Sequence, residues 1–505
     1  MRLHRPEVVL FLLLWGSFAC FHHIHAGWNV NSRVALTYAI VERGTARIDG
    51  YDTRLEMETD DVAVFGGHVY SDKIIGTSLL GVPAFAAVKA VEMMRGCEFA
   101  PGARRYLVTV FSVGLLAALA GVMFFRLLGL YEARRRGGAQ SGVMAGSARD
   151  EKASRAGAER STGPFVITLL VFLGTQLFFY ATLFMSYLPA LFFGLWALLR
   201  FERWRDDDSA HGPPLLSCGL LIGLSLLCEY LMGIFAVFFA LYVLALIPRK
   251  AAIWKFAAGA AVGILPFVVY TIAIFGRLAI PYEYERNMLF KEQMERGFLG
   301  ASWPRLAVLE LITLHPYRGL FIHSPFLLMS IAGLWICMRT VGARSLALFV
   351  IGTTAGCLLF NSAYYMWWGG WSFGPRHLVP AIPFLAIPLI AVWHSRSARA
   401  VIVALGAVSV LLHLVVNSID PQFRDLNPAT PLSILLEPDS AHEYPWVFTL
   451  YIWPLFRLGY LGSNAGQLLG LRGIASLAPL LVFWAIMIWL GIRPLSAAPG
   501  GKDQL

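Results

Sequence analysis

Charge is scarce in this sequence. Asp, Glu, Lys and Arg make up 14% of 505 residues, while hydrophobic residues make up 57%. A soluble globular domain carries about 25% charged residues, so a water-soluble fold is excluded and the chain reads as an integral membrane protein. Cysteine is scarce as well. Cys20, Cys97, Cys218, Cys228, Cys337 and Cys357 are scattered, mostly inside apolar runs, with no Cys-x-x-Cys pair. That argues against a disulfide framework and against a zinc site. The formal net charge is +10, but the basic residues do not gather on an aromatic-laced face, so nucleic acid is not the expected partner. They sit instead in short clusters between apolar runs, which is the positive-inside pattern.

A bilayer core about 30 Å thick takes about 20 apolar residues per helix. On that basis spans fall near 7–26, 105–130, 163–183, 186–203, 214–229, 231–248, 254–275, 320–338, 345–362, 378–394, 398–417 and 473–493. Glu229-Tyr230 alone separates the fifth from the sixth. Residues 131–162, with Arg134-Arg135-Arg136 and a Gly/Ala/Ser-rich stretch to Arg160, form a flexible basic loop and belong in the cytoplasm. Arg249-Lys250, Arg339 with Arg344, and Arg396 with Arg399 then fall on the same side, as do both termini. Ile74 to Met94 is apolar but holds Gly76, Gly81 and Pro83, which weaken an ordinary helix. It is read as interfacial or re-entrant. The outer face receives 27–73, 276–319 and 418–472, with a shorter segment around 363–377. In the first of these, Asn31 is the expected N-cap and Gly44 the C′ residue of a short helix. Val34, Tyr38 and Val41 share one face of it, and it is expected to lie along the membrane surface.

The outer loops hold the residues with chemistry. Thr59-Asp60-Asp61-Val62-Ala63-Val64-Phe65-Gly66-Gly67-His68-Val69-Tyr70-Ser71-Asp72-Lys73, preceded by the surface helix, resembles the first periplasmic loop of the GT-C glycosyltransferases. The similarity is to the bacterial branch of aminoarabinose transferases and related sugar transferases, alongside protein O-mannosyltransferases. It covers residues 1–130, and beyond them hydropathy and one further loop. In those families an aromatic-x-acid-Lys-Pro motif places its lysine on the phosphate of a polyprenyl-phosphate sugar. Tyr70, Asp72 and Lys73 match, and Ile74 replaces the proline. The resemblance implies an all-α polytopic bundle forming one module over 1–505, with short interfacial helices in its outer loops. It also implies that the first apolar run, Val8 to Ala26, is kept as an anchor rather than cleaved as a signal peptide.

The family carries an acidic pair after the first helix and then an arginine. Arg33 matches the arginine, as a donor-phosphate ligand, but Val30-Asn31 stands where the acids belong. Asn31 takes no proton at pH 7, so the base is expected at Asp61 or Asp60, with Asp49 and Asp52 behind them. Asp72 either holds Lys73 in place or caps a turn, with Tyr70 as support.

Trp367-Trp368-Gly369-Gly370-Trp371-Ser372-Phe373-Gly374-Pro375-Arg376 resembles a Gly-Gly-x-x-x-Gly-Pro-Arg loop of bacterial proteins in the same superfamily. Arg376 there is either a bidentate phosphate ligand or a snorkelling arginine beside an aromatic belt. The tryptophans suit the interface or stacking on a sugar ring. Arg318, in His315-Pro316-Tyr317-Arg318-Gly319, is either a further phosphate contact or part of an interfacial turn. His22, His23 and His25 lack an adjoining carboxylate and read as interfacial histidines. Asp206-Asp207-Asp208 reads as a solvated cytoplasmic loop. No Asp-x-Asp occurs in the outer loops, so no metal cofactor is expected.

Together these features lead to a bacterial inner-membrane enzyme whose active site faces the periplasm. It would move a sugar from a polyprenyl-phosphate donor to a lipid, glycan or protein acceptor. Two rivals stay open. About twelve spans with both ends inside is also a transporter layout, although transporters place their charges at mid-membrane. A polymerase or ligase of lipid-linked glycans would use outer-loop arginines on a diphosphate, and Lys73 in the first loop speaks against it.

Overall fold

The computed structural model describes residues 4–23, 26–140, 162–206, 212–422, 436, 438 and 444–492, with the side chains of 136–140 excepted. His25, residues 141–161 of the basic loop, Asp207, Asp208, most of 423–443 and the two chain termini lie outside the described residues.

The chain is mostly helical. Two small antiparallel strand pairs are present: Phe21–His22 with Ser463–Asn464, and a hairpin of Val62–Phe65 with His68–Ser71. Helical segments fall in each of the twelve apolar stretches. Among the described residues six helices are long and apolar enough to cross a membrane by length and composition: Gly76–Arg95, Pro101–Arg135, Lys250–Phe275, Arg344–Ala363, Arg396–Ile419 and Gly473–Ile492. Others are shorter, such as Leu215–Cys228 and Met232–Leu246, or broken, as in Arg376–Val392. Pro380, Pro383 and Pro388 account for that last break, because each lacks the N–H that a continuous helix needs.

Small residues let helices approach closely. The Leu215–Cys228 and Ile253–Phe275 helices meet through Gly219, Gly223, Gly259 and Gly263. A Cβ on Gly219 would stand 1.9 Å from the Phe256 carbonyl oxygen, and one on Gly259 2.0 Å from that of Leu216. This is the small-residue packing by which apolar helices associate where no hydrophobic drive separates helix from lipid.

The helices define two ends. Tyr187 begins the Tyr187–Arg205 helix and borders the main cavity. Arg205 closes the same helix about 27 Å away at 1.5 Å per residue. At that far end Glu202 is buried and pairs with Arg134 and with Arg205 at 3.0 Å, and Arg134 also holds Asp206 at 2.6 Å. A second buried pair there, Arg126–Glu7 at 2.6 Å, joins the Pro101–Arg135 helix to the first helix, α1 (Arg5–Ala19).

Two helices differ from their sequence-based expectations. Helix α2 (Trp28–Arg43) starts one residue after Gly27, so Asn31 is not its N-cap. The Asn31 amide donates to the Glu58 and Ala26 carbonyls at 2.9 and 3.2 Å. Gly44 does close α2, at φ 62°. Helix α3 (Gly76–Arg95) is continuous, which removes the re-entrant form. Its glycines are points of close contact rather than breaks: Gly76 lies against the Leu227 backbone and Gly81 against Phe184. Its first turn sits by the cavity end of the Leu215–Cys228 helix. Its last turns pair Glu92 with Arg104 at 2.6 Å, next to Gly102, whose carbonyl meets His22 just beyond α1. Both ends of α3 are therefore at the cavity end, and the helix lies across that end although its length would allow it to cross.

Candidate functional site

The site begins with a two-glycine turn. Gly66 and Gly67 have φ of 57° and 79°, the left-handed pair that a tight hairpin turn requires and that side chains with a Cβ resist. The turn sets the register Phe65↔His68 through Val62↔Ser71. The next residues out are Asp61 on one strand and Asp72-Lys73 on the other, so the turn brings two carboxylates to one ammonium. Lys73 Nζ lies 2.9 Å from Asp61 Oδ2 and 2.5 Å from Asp72 Oδ2. Asp72 is fully buried, and Lys73 and Asp61 nearly so.

A second segment is laid over the hairpin. Arg286 donates its backbone N–H to the Val62 carbonyl at 2.9 Å, and Glu285 bridges to Ala63. The Arg286 guanidinium pairs with Asp52 and Asp60, each at 2.8 Å, and reaches the Thr59 carbonyl at 2.9 Å. This docking brings Tyr282 to 3.4 Å from Lys73 Nζ and places the Glu285 carboxyl in hydrogen-bond contact with Asp72.

The third contribution is arginine. Arg33, on α2, donates to the Ser186 hydroxyl at 3.2 Å and to the Asn29 carbonyl at 3.1 Å. Ser186 in turn donates to Glu229, at the break between the Leu215–Cys228 and Met232–Leu246 helices. Arg376 lies over Gly369, where a Cβ would come within 2.7 Å of its Cγ. Arg318 is buried and donates to the Trp368 and Gly370 carbonyls at 2.9 and 3.4 Å. It thus supports the Trp-Trp-Gly-Gly loop from behind.

These pieces enclose a cavity of about 350 Å³ lined by Arg33, Asp61, Asp72, Lys73, Glu229, Tyr282, Glu285 and Arg376, with aromatic and apolar residues between them. Five of the seven residues singled out from the sequence reach its wall. Asp60 and Tyr70 do not. Asp60 is held by Arg286 and by the Asn287 amide at 2.9 Å. Tyr70 is buried behind the hairpin, its ring edge-on to Phe275. Asp52 is tied to Arg286, and Asp49 accepts from the Val69 N–H at 3.0 Å. His22 meets the Gly102 carbonyl at 3.1 Å, and His23 meets Thr182 and Asn417 at 2.9 and 3.1 Å. Among the described residues no group of three or more His, Cys, Asp or Glu is placed to hold a metal.

Burial and charge divide the cavity into two unlike halves. Around Lys73 two carboxylates face one ammonium. Burial by itself would push the ammonium down, but Asp61 and Asp72 reverse this and hold it well above its usual value. Burial pushes Glu285 up to about 10, helped by the charge of Asp72, and Asp72 is raised by its own burial. That direction favours a protonated Glu285 carboxyl that donates to Asp72. On the arginine side no carboxylate among the described residues touches a guanidinium directly, and Glu229 is linked to Arg33 through the Ser186 hydroxyl. Among the described residues the ion pairs of the cavity converge on Lys73, and Arg33 and Arg376 make none. The Nε of each is buried without a hydrogen-bond partner. A guanidinium drawn from water without a direct ion pair is costly, which makes this half of the cavity chemically suited to an anion.

Tyr282, Glu285, Glu229 and Tyr187 were not singled out as site residues from the sequence. Glu229 stands out as an acid between two spans, but nothing local ties it to Arg33. Glu285 reaches the site only through the docking of Arg286. No protein-family model matches the chain, and no curated protein matches it.

Proposed function

We propose that the protein is a polytopic glycosyltransferase of the GT-C type, an all-α bundle of about twelve spans in a bacterial inner membrane. On this reading both termini are cytoplasmic and the cavity opens on the periplasmic face. It takes a sugar from a polyprenyl-phosphate donor and gives it to a lipid, glycan or protein acceptor, without a metal cofactor. The observation that carries this is the pair of guanidiniums, Arg33 and Arg376, each with a buried, unpartnered Nε and no direct ion pair among the described residues, facing a cavity that also holds the Asp61–Lys73–Asp72 cluster and Glu229. The origin of the cavity wall adds support. Its residues come from 27–73, 276–319, 363–377, Gln422 and the Tyr187 and Glu229 helix ends. The positive-inside count assigns all of these to one side of the membrane.

Each group then has a role. The donor phosphate binds Arg33 and Arg376, with Lys73 at its edge. As the bond between the anomeric carbon and the phosphate oxygen breaks, its electron pair stays on the phosphate, and these cations stabilise the growing charge. Asp61 accepts the proton of the incoming hydroxyl, whose oxygen forms the new glycosidic bond, with inversion at the anomeric carbon. Lys73 and Asp72 hold Asp61 in place. Phe290, Met294, Leu299 and Phe360 form an apolar wall suited to the first isoprene units.

The test is transfer from radiolabelled polyprenyl-phosphate sugars by the purified protein, with Lys73→Ala, Asp61→Asn and Arg376→Ala in parallel. Loss of transfer in all three is expected. Wild-type transfer in all three would remove the site assignment. Uptake of substrate into proteoliposomes with no glycosylated product would replace the enzyme by a transporter.

A further inference from the structure

One wall of the cavity is not used by the donor in this scheme. It is built around Trp28 and Trp371, whose ring centroids lie 5.9 Å apart at an interplanar angle of 45°, and both line the cavity. Two carboxamides line it with them. The Gln422 side-chain oxygen accepts from the Gly27 N–H at 3.0 Å. The Asn29 side-chain oxygen accepts from the Arg33 guanidinium. Each amide thus has its oxygen engaged and keeps its NH2 as a donor on a cavity-lining side chain.

Indole faces combined with amide donors suit one ligand chemistry. A pyranose or furanose presents C–H faces to an aromatic ring and hydroxyl oxygens at its edge, and both are satisfied here. An isoprene chain would leave the two amides without partners, which costs free energy in a dehydrated cavity. The opposite wall of Phe290, Met294, Leu299 and Phe360 makes no such demand. The hydrogen bond from Arg33 to Asn29 also sets this wall directly beside the phosphate-binding half.

We infer that Trp28, Asn29, Trp371 and Gln422 form the acceptor subsite, and that the acceptor is the hydroxyl of a saccharide. This rests on the sugar-transfer reading and narrows its acceptor from lipid, glycan or protein to a carbohydrate, whether free or lipid-linked.

The test separates the subsite from the donor site. Full-length protein in nanodiscs, without donor, is mixed with a panel of methyl hexosides and methyl pentosides, and saturation transfer to the sugar protons is read by NMR. At least one glycoside is expected to bind. Trp371→Ala and Gln422→Ala should each weaken it roughly tenfold or more, while Trp371→Phe, which keeps an aromatic face, retains most of it. With labelled donor added, label should appear on that glycoside, with KM raised in the alanine variants and kcat less affected. A lipid-linked form of the same sugar that accepts label with lower KM would place the acceptor in the membrane and keep the assignment. Consumption of donor with label passing only to a peptide, or to a lipid bearing no sugar, would overturn the subsite and leave the donor reading standing. Glycoside binding that persists undiminished in Trp371→Ala and Gln422→Ala would overturn it as well. Failure of the wild type to consume any polyprenyl-phosphate sugar would instead remove the donor reading, and the acceptor assignment with it.

Discussion

The two ends of the bundle hold arginines in opposite ways. At the far end Arg126 pairs with Glu7 at 2.6 Å, and Arg134 and Arg205 converge on the buried Glu202, with Asp206 beside Arg134. At the cavity end Arg33 is buried and Arg376 part-buried, with no direct ion pair among the described residues, and each has a buried, unpartnered Nε. Both ends draw guanidiniums at least partly out of water at a desolvation cost. The far end offsets that cost with direct ion pairs, whereas at the cavity end Glu229 is linked to Arg33 through the Ser186 hydroxyl. A charge balanced by its own neighbours holds helices together, whereas a charge left open at a cavity awaits a ligand. The contrast marks the cavity end as the candidate site without reference to any sequence motif.

The largest effect should come from removing the open charges. Arg376→Ala is expected to lower sugar transfer by about 10²-fold or more, as loss of a transition-state charge partner does. Its thermal midpoint should stay level or rise, because no internal pair is broken. A fall in midpoint together with retained transfer would erase the contrast. Asp61→Asn should lower transfer by roughly 10²-fold through loss of the base, with donor affinity retained in an equilibrium binding assay.

The far end should respond in the opposite sense. Glu202→Ala leaves Arg134 and Arg205 without their shared carboxylate and is expected to cost about 3 kcal/mol of stability, read from unfolding in detergent. Transfer per folded molecule should be unchanged. Loss of transfer without loss of stability would show that this end also carries function.

A smaller effect concerns pH. Glu285 is raised from the ordinary carboxyl value to about 10, so the folded state binds its proton more tightly than the unfolded one. Such a group favours folding fully below about pH 4.5, and that contribution falls away as the pH climbs towards about 10. Glu285→Gln keeps an amide donor for Asp72 and removes the titration. The wild type should therefore lose thermal midpoint between pH 6 and pH 9 relative to this variant. Parallel curves would mean that Glu285 is ionised in the fold. The mildest test is Gly219→Ala, whose Cβ would meet the Phe256 carbonyl at 1.9 Å. A stability loss of about 1–3 kcal/mol is expected from that overpacking, with activity little changed.

Much of this arrangement was legible in the sequence, for physical reasons. Apolar runs mark helices because a bilayer-length helix must be apolar, and helical segments fall in all twelve predicted stretches, although among the described residues six helices meet the length and composition of a span. Asp61, Asp72, Lys73, Arg33 and Arg376 stood out in the sequence because charge is rare here, and all five line the cavity. The hairpin was not recognised: 59–73 reads as an outer loop, although the two glycines between Val62–Phe65 and His68–Ser71 carry a hairpin signature. That signature separates Asp61 from Asp60, since only the residue flanking the strand is carried to Lys73. Helix α2 begins earlier than Asn31 suggested, with Gly27 at its N-cap, and the Asn31 amide instead donates to the Ala26 and Glu58 carbonyls. Glu285 and Tyr282 were not readable. They reach the site through Arg286, whose partners Asp52 and Asp60 lie more than 200 residues away in sequence, and no local pattern records such a docking.

The most direct measurement is equilibrium binding of a polyprenyl monophosphate to the purified protein and to Arg33→Ala and Arg376→Ala, with Arg134→Ala from the far end as the reference. Binding that falls by tenfold or more in the two cavity variants and holds in the reference is the predicted result. Equal binding in all four proteins would contradict the claim that the unpaired guanidiniums of the cavity end are there for a phosphate.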